Sequence, residues 1–140
     1  MAKYSDIKGF TVQTLESDPI ASQIAGGAWA SGTSMPATRF EAFGAGTQTA
    51  ALVSGGASTP PASANTVNTT IEYDGSSWTS GNNINTTRYD GGDFGTQTAA
   101  IDAGGDTPPS GAATDAVESY DGTNWTEIAE INTARNGQAG

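Results

Sequence analysis

Apolar positions in this chain fall in short bursts separated by Gly, Asn, Asp and Thr, and no 3.6-residue apolar stripe runs through them. Thr, Gly and Asn are poor helix formers, so the pattern predicts strands and turns. Thr47-Gln48-Thr49-Ala50-Ala51-Leu52-Val53 reads as a buried strand entering the pair Gly55-Gly56. Thr69 to Tyr73 alternates like a second strand. Asp74-Gly75-Ser76-Ser77 and Asp121-Gly122-Thr123-Asn124 are predicted hairpin turns, because Asp-Gly readily takes the φ > 0 conformations such turns demand. Trp78 and Trp125 then open a further strand. Ser58–Asn65 and Thr107–Ala113, with Thr-Pro-Pro and small residues, read as exposed loops. Near the start, Phe10, Val12 and Leu15 are spaced for an extended strand.

The bursts repeat. Gly46–Ala51 (GTQTAA) returns unchanged as Gly95–Ala100, an offset of 49, and Gly55-Gly56 returns as Gly104-Gly105 at the same offset. Tyr73-Asp74-Gly75 and Trp78 return as Tyr120-Asp121-Gly122 and Trp125, offset by 47. The two missing residues fall in the Pro- and Ser-rich loop, where length change is tolerated. A third block occurs three times: Trp29 to Arg39, Trp78 to Arg88 and Trp125 to Arg135. A period of about 47–50 residues suits a four-stranded propeller blade and is long for ankyrin or tetratricopeptide helices.

A short apolar strand, a double glycine, Tyr-Asp, a four-residue turn, Trp and a following Arg resembles the kelch repeat. Leu52-Val53-Ser54-Gly55-Gly56, Tyr73-Asp74, Trp78 and Arg88 carry the resemblance in one unit; Ile101 to Gly105, Tyr120-Asp121, Trp125 and Arg135 carry it in the next. It implies an all-β protein of kelch-like β-propeller blades: an N-terminal extended leader over 1–28, a half-blade over 29–45, and repeats over 46–94 and 95–140. The small Thr/Ala/Gly filling departs from the family's larger aliphatics. More narrowly, the Gly-Thr-Gln-Thr-Ala-Ala, Tyr-Asp-Gly-X-X-Trp-Thr and Asn-Thr-X-Arg blocks are similar to kelch-type repeats in structural proteins of marine bacteriophages. The leader Lys8 to Leu15, followed by Asp18-Pro19, resembles the opening of such proteins.

Propellers close with four to eight blades. Two repeats and an orphan half-blade are therefore expected to be part of a larger propeller. The alternative is a short chain whose open edges pair with neighbouring subunits. The leader is read either as an anchor to a particle, by strand addition through Phe10, Val12 and Leu15, or as a strand completing the half-blade.

Composition narrows the function classes. Fifteen acidic against five basic residues give a net charge of −10, which opposes nucleic-acid and anionic-membrane binding. With no Cys and no His, disulfides, thiolate or imidazole metal sites, and Ser-His-Asp or Cys-His catalysis are excluded. The opening ten residues hold no apolar signal core, and no apolar run reaches membrane-spanning length.

The remaining candidates are mainly repeat positions. Arg39, Arg88 and Arg135 share one phase and are expected to hold carbonyls or a carboxylate between strands. Trp29, Trp78 and Trp125, with Tyr73 and Tyr120, are expected to pack blades, with a rim platform for glycans as the alternative. Gly55, Gly56, Gly104 and Gly105 are structural. Asp90/Asp93 and Asp102/Asp106 read as turn chemistry rather than a Ca²⁺ site. No cofactor, metal or catalytic residue is assigned, and the chain is not expected to be an enzyme. The resemblance implies a virion protein made in the host cytoplasm, most plausibly a tail fibre or appendage component. It would attach to other virion proteins through residues 1–28, present a propeller to a host-surface glycan or protein, and form a homo-oligomer. A capsid or tail decoration protein and a kelch interaction module are the alternatives.

Overall fold

A computed structural model describes residues 31–137. The leader, with Phe10, Val12 and Leu15, and Trp29 of the half-blade lie outside the described residues. Two four-stranded antiparallel sheets follow one another along the chain, each a simple meander. The first holds β1 (Phe43–Thr47), β2 (Ala50–Ser54), β3 (Thr70–Tyr73) and β4 (Trp78–Ser80). The second holds β5 (Gly92–Thr96), β6 (Ala99–Ala103), β9 (Val117–Tyr120) and β10 (Trp125–Glu127). Between the middle strands of the first sheet lies a one-turn helix, α1 (Ala62–Asn65). At the same place the second sheet carries a small hairpin of β7 (Asp106–Thr107) and β8 (Ala112–Ala113).

The repeated Gly-Thr-Gln-Thr-Ala-Ala block is not one strand. Thr47 pairs with Ala50, and Thr96 with Ala99, so Gln and Thr form a two-residue turn and each block is a hairpin tip. The backbone decides this. Gly46 and Gly95 sit at φ 114° and 120°, and a Cβ on either would lie 2.2 Å from the carbonyl oxygen of Ala50 or Ala99. Only glycine fits there. The edge strands β1 and β5, which the sequence pattern did not separate from their neighbours, lie on the amino-terminal side of these tips.

The Asp-Gly turns form as local chemistry dictates. Asp74 Oδ1 accepts from the backbone N–H groups of Ser76 and Ser77 at 2.8 and 2.7 Å, and Asp121 Oδ1 does the same for Thr123 and Asn124. These amides hold both carboxyls below the usual carboxylate range. Neither loop expected to be exposed holds a buried residue, and each carries its own ordered element.

The core lies between the two sheets. Strand alternation sends Ala45 and Leu52 of the first sheet toward Ala100, Tyr120 and Trp125 of the second, and Ile84 from the connecting segment closes the cluster. Phe43 is also buried, and its ring fills the space beside Gly91. A Cβ on Gly91 would stand 2.4 Å from Phe43 Cε1 and 2.8 Å from the Ala103 carbonyl. Gly91→Ala is therefore expected to lower stability by about 1–3 kcal/mol, as overpacking does, measured by urea unfolding. An unchanged midpoint would show that the ring has room to move.

Candidate functional site

The segment linking the two sheets, residues 81–91, turns the repeated Asn-Thr-X-Arg block into a clamp. Arg88 is fully buried. Its backbone carbonyl accepts from Gly56 N–H, just beyond β2 of the first sheet, at 2.9 Å. Its guanidinium crosses to the second sheet, donating through Nη1 to the carbonyls of Gly104 and Ala116, both at 2.9 Å, and through Nη2 to Glu118 Oε1 at 3.0 Å. Phe43 lies beneath it, 5.5 Å from ring centroid to Cζ. The Glu118 carboxylate is itself saturated. It accepts from Asn85 N–H at 2.7 Å, Asn85 Nδ2 at 3.0 Å and Thr86 N–H at 3.0 Å. A buried ion pair becomes tolerable when its remaining lone pairs are satisfied in this way. Arg88 thus ties one sheet to the next by its main chain at one end and its side chain at the other.

The other two arginines sit differently. Arg39 is half-buried, donates to Thr69 Oγ1, and leaves its Nε buried without a partner. Desolvation draws its pKa below the ordinary value. The residue in the first sheet that matches Glu118 is Ile71, for Ile71 pairs with Val53 as Glu118 pairs with Asp102. Arg135 is exposed, yet its carbonyl accepts from Gly105 N–H at 2.8 Å, as that of Arg88 does from Gly56.

The aromatic pairs are equivalent in geometry and unequal in burial. Tyr73 with Trp78, and Tyr120 with Trp125, both stand 4.9 Å apart between ring centroids, tilted by 36° and 33°. Trp125 lies between the sheets, 6% exposed, its indole N–H donating to Thr70 Oγ1 at 3.0 Å. Tyr120 donates to Glu72 across the same interface; burial and that carboxylate push its phenol pKa up. Trp78 is half-buried on the outer face of the first sheet and donates to the Thr33 carbonyl at 3.0 Å. Trp125→Phe is expected to cost about 2–3 kcal/mol, and Trp78→Phe less than about 1 kcal/mol. Equal melting shifts would contradict that asymmetry.

Two further groups meet at the interface, and one of them, Asp102, was expected in a turn but stands buried within β6. Gln97, in the second hairpin tip, donates through Nε2 to the carbonyls of Tyr73 at 2.7 Å and Ala51 at 3.2 Å. Asp102 is buried on β6 with Ser54 Oγ 2.5 Å from its Oδ2. Burial pushes its pKa up to about 7, against the smaller opposing effects of the Ser54 hydroxyl and Arg88.

The four repeated glycines leave β2 and β6 with positive φ. Gly55 and Gly104 N–H donate to the Thr69 and Ala116 carbonyls, turning the chain into the long loops. The acidic pairs disperse. Asp90 occupies a turn at φ 56°; Asp93 pairs with Asp102 across β5 and β6; Asp106 accepts twice from Asn136 Nδ2, at 2.8 and 2.9 Å. Among the described residues no three acidic side chains converge in a metal-holding group, and no helix is long and apolar enough to cross a membrane.

No protein-family model matches this chain, and no curated protein matches it. Among solved structures it is similar to that of YjhT, a kelch-type protein, with a TM-score of 0.67 at 12% identity. The fold is β-propeller-like. The match covers 79% of this chain and 38% of YjhT, so the chain spans well under half of that neighbour. In propeller terms the two sheets are consecutive blades, and the clamp and aromatic pair are the contacts between them. The blades run from Phe43 to Ser80 and from Gly92 to Glu127, so repeats drawn from residues 46 and 95 cut through β1 and β5.

Proposed function

We propose that the chain is a structural and binding segment of a bacteriophage virion, carried on a tail fibre or appendage. Its blades form the rigid frame, and its loops face a host surface. One observation carries the reading. At repeated positions Arg88, Gln97 and Trp125 serve blade-to-blade contact, whereas the loops joining the second and third strands keep their place and change their structure, α1 in one blade and a hairpin in the next. A repeated strand frame with variable loops is the arrangement of a presenting surface. The similarity of the repeat blocks to phage structural proteins supplies the particle context. Residues 1–28 would hold the chain to other virion proteins, and copies would stand together in the particle.

Antibody against the chain, applied to particles purified from the culture that expresses it, is expected to label tail appendages. Uniform labelling of the capsid would favour a decoration role. Label confined to cell cytoplasm would remove the virion reading altogether and leave an interaction module.

A further inference from the structure

The three blocks that end in Arg39, Arg88 and Arg135 differ in step with what they face. Asn85 and Arg88 meet Glu118. Pro36 stands where Asn85 does, and the matching strand position is Ile71. The third clamp, Asn132 and Arg135, is built like the one that meets a carboxylate. Arg135 Nε donates to Thr133 O at 3.3 Å, as Arg88 Nε donates to Thr86 O at 3.3 Å. Ile131 N–H donates to Asp115 O at 3.0 Å, as Ile84 N–H does to Asn68 O at 3.0 Å. Asn132, Arg135, Ile131 and Glu130 line a recess of about 330 Å³, and Glu130 makes no ion pair with Arg135.

The surrounding surface matches as well. Phe94 and Ile101 occupy the places of Ala45 and Leu52, which the second blade covers in the first. Phe94 is 54% exposed where Ala45 is half-buried, and Ile101 is half-buried where Leu52 is 1% exposed. A cationic fork, an amide and an apolar patch together ask for an apolar blade face with one carboxylate.

We propose that Asn132 and Arg135 form a carboxylate-reading clamp. It accepts as neighbour a blade of the same repeat type that carries an acidic residue two positions before its third-strand tyrosine, the place of Glu118. A second copy of this chain does not satisfy it, because its first blade offers Ile71 there and its second blade already has that face covered. Blade order is thereby written in a pairing of clamp and acid rather than in blade shape alone.

The test appends one more blade, a copy of residues 92–137, to the full chain after Gly140. A second version carries Glu118→Ile within the appended copy only, and a third carries Arg135→Met in the original chain. Hydrogen exchange is then read at the Asn132 and Thr133 amides. The acidic copy is expected to slow both by at least about tenfold, with little slowing in the isoleucine version or with Arg135→Met. Equal slowing by the isoleucine version overturns the proposal. So does an acidic copy whose own strands are protected while Asn132 and Thr133 remain fast, or one that fails to fold beside the intact clamp. Sedimentation of the unmodified chain gives an independent reading: dimers dissolved by Phe94→Asp would show that this face does accept a second copy.

Discussion

Glu118→Ala is expected to destabilise the protein by about 3–5 kcal/mol, the cost of leaving a buried partner charge uncompensated. Four donors lose this acceptor at once: Arg88 Nη2, the Asn85 backbone N–H and side-chain Nδ2, and the Thr86 N–H. Arg88 is entirely buried, so water cannot take the carboxylate's place without opening the blade interface. Glu118→Gln keeps an acceptor and the side-chain shape, and is expected to cost less, about 1–3 kcal/mol. The double variant Arg88→Met/Glu118→Leu removes both charges together. It should be more stable than Glu118→Leu alone by about 1–3 kcal/mol, because no lone guanidinium is left buried. Urea unfolding of these variants and of Arg88→Met alone checks this, and additive single effects would show that the two side chains do not depend on each other.

The second large effect concerns pH. Asp102 has a folded pKa of about 7, raised from an ordinary 3.8 chiefly by burial. The folded state therefore prefers the protonated acid. Its contribution to stability is fully present below about pH 4 and is lost as pH rises through about 7, a change on the order of 4 kcal/mol. Asp102→Asn cannot ionise. It is expected to leave stability near that of the unmodified chain at pH 4 and to raise it by a few kcal/mol at pH 8, on that same linkage. Melting curves for both proteins across this range test it. Parallel pH profiles would show that Asp102 is ionised at no cost, held by Arg88 and Ser54.

What the sequence disclosed and what it hid have a common physical origin. The Asp-Gly turns were legible because an Asp side chain bonding its own next amides is a local event. The blade period was legible because Trp78, Trp125, Tyr73 and Tyr120 serve the same pairing in each unit. The hairpin tips were misread as strand because Gln48-Thr49 lacks the Asn-Gly signature, and the run of Thr and Ala around it looks continuous. Strands β1 and β5 were hidden by their glycines; pairing along the full length of β2 and β6 holds them extended. Glu118 was hidden, and Asp102 was misread as a turn acid, for a different reason. Self-comparison finds what repeats, and these acids stand where the repeats differ, opposite Ile71 and Val53 in the first blade. The residues that make one blade seam unlike the next are the ones a repeat search passes over. The one advance signal was an acid in phase with an isoleucine on a strand otherwise packed inward.

Amide hydrogen exchange on the unmodified chain tests the clamp most directly, since one spectrum contains an occupied and an unoccupied version of it. The Asn85 and Thr86 amides, bonded to a buried carboxylate, are expected to exchange roughly 100-fold or more slowly than the equivalent Asn132 and Thr133 amides. Equal rates at the two pairs would contradict the clamp as the tie between blades.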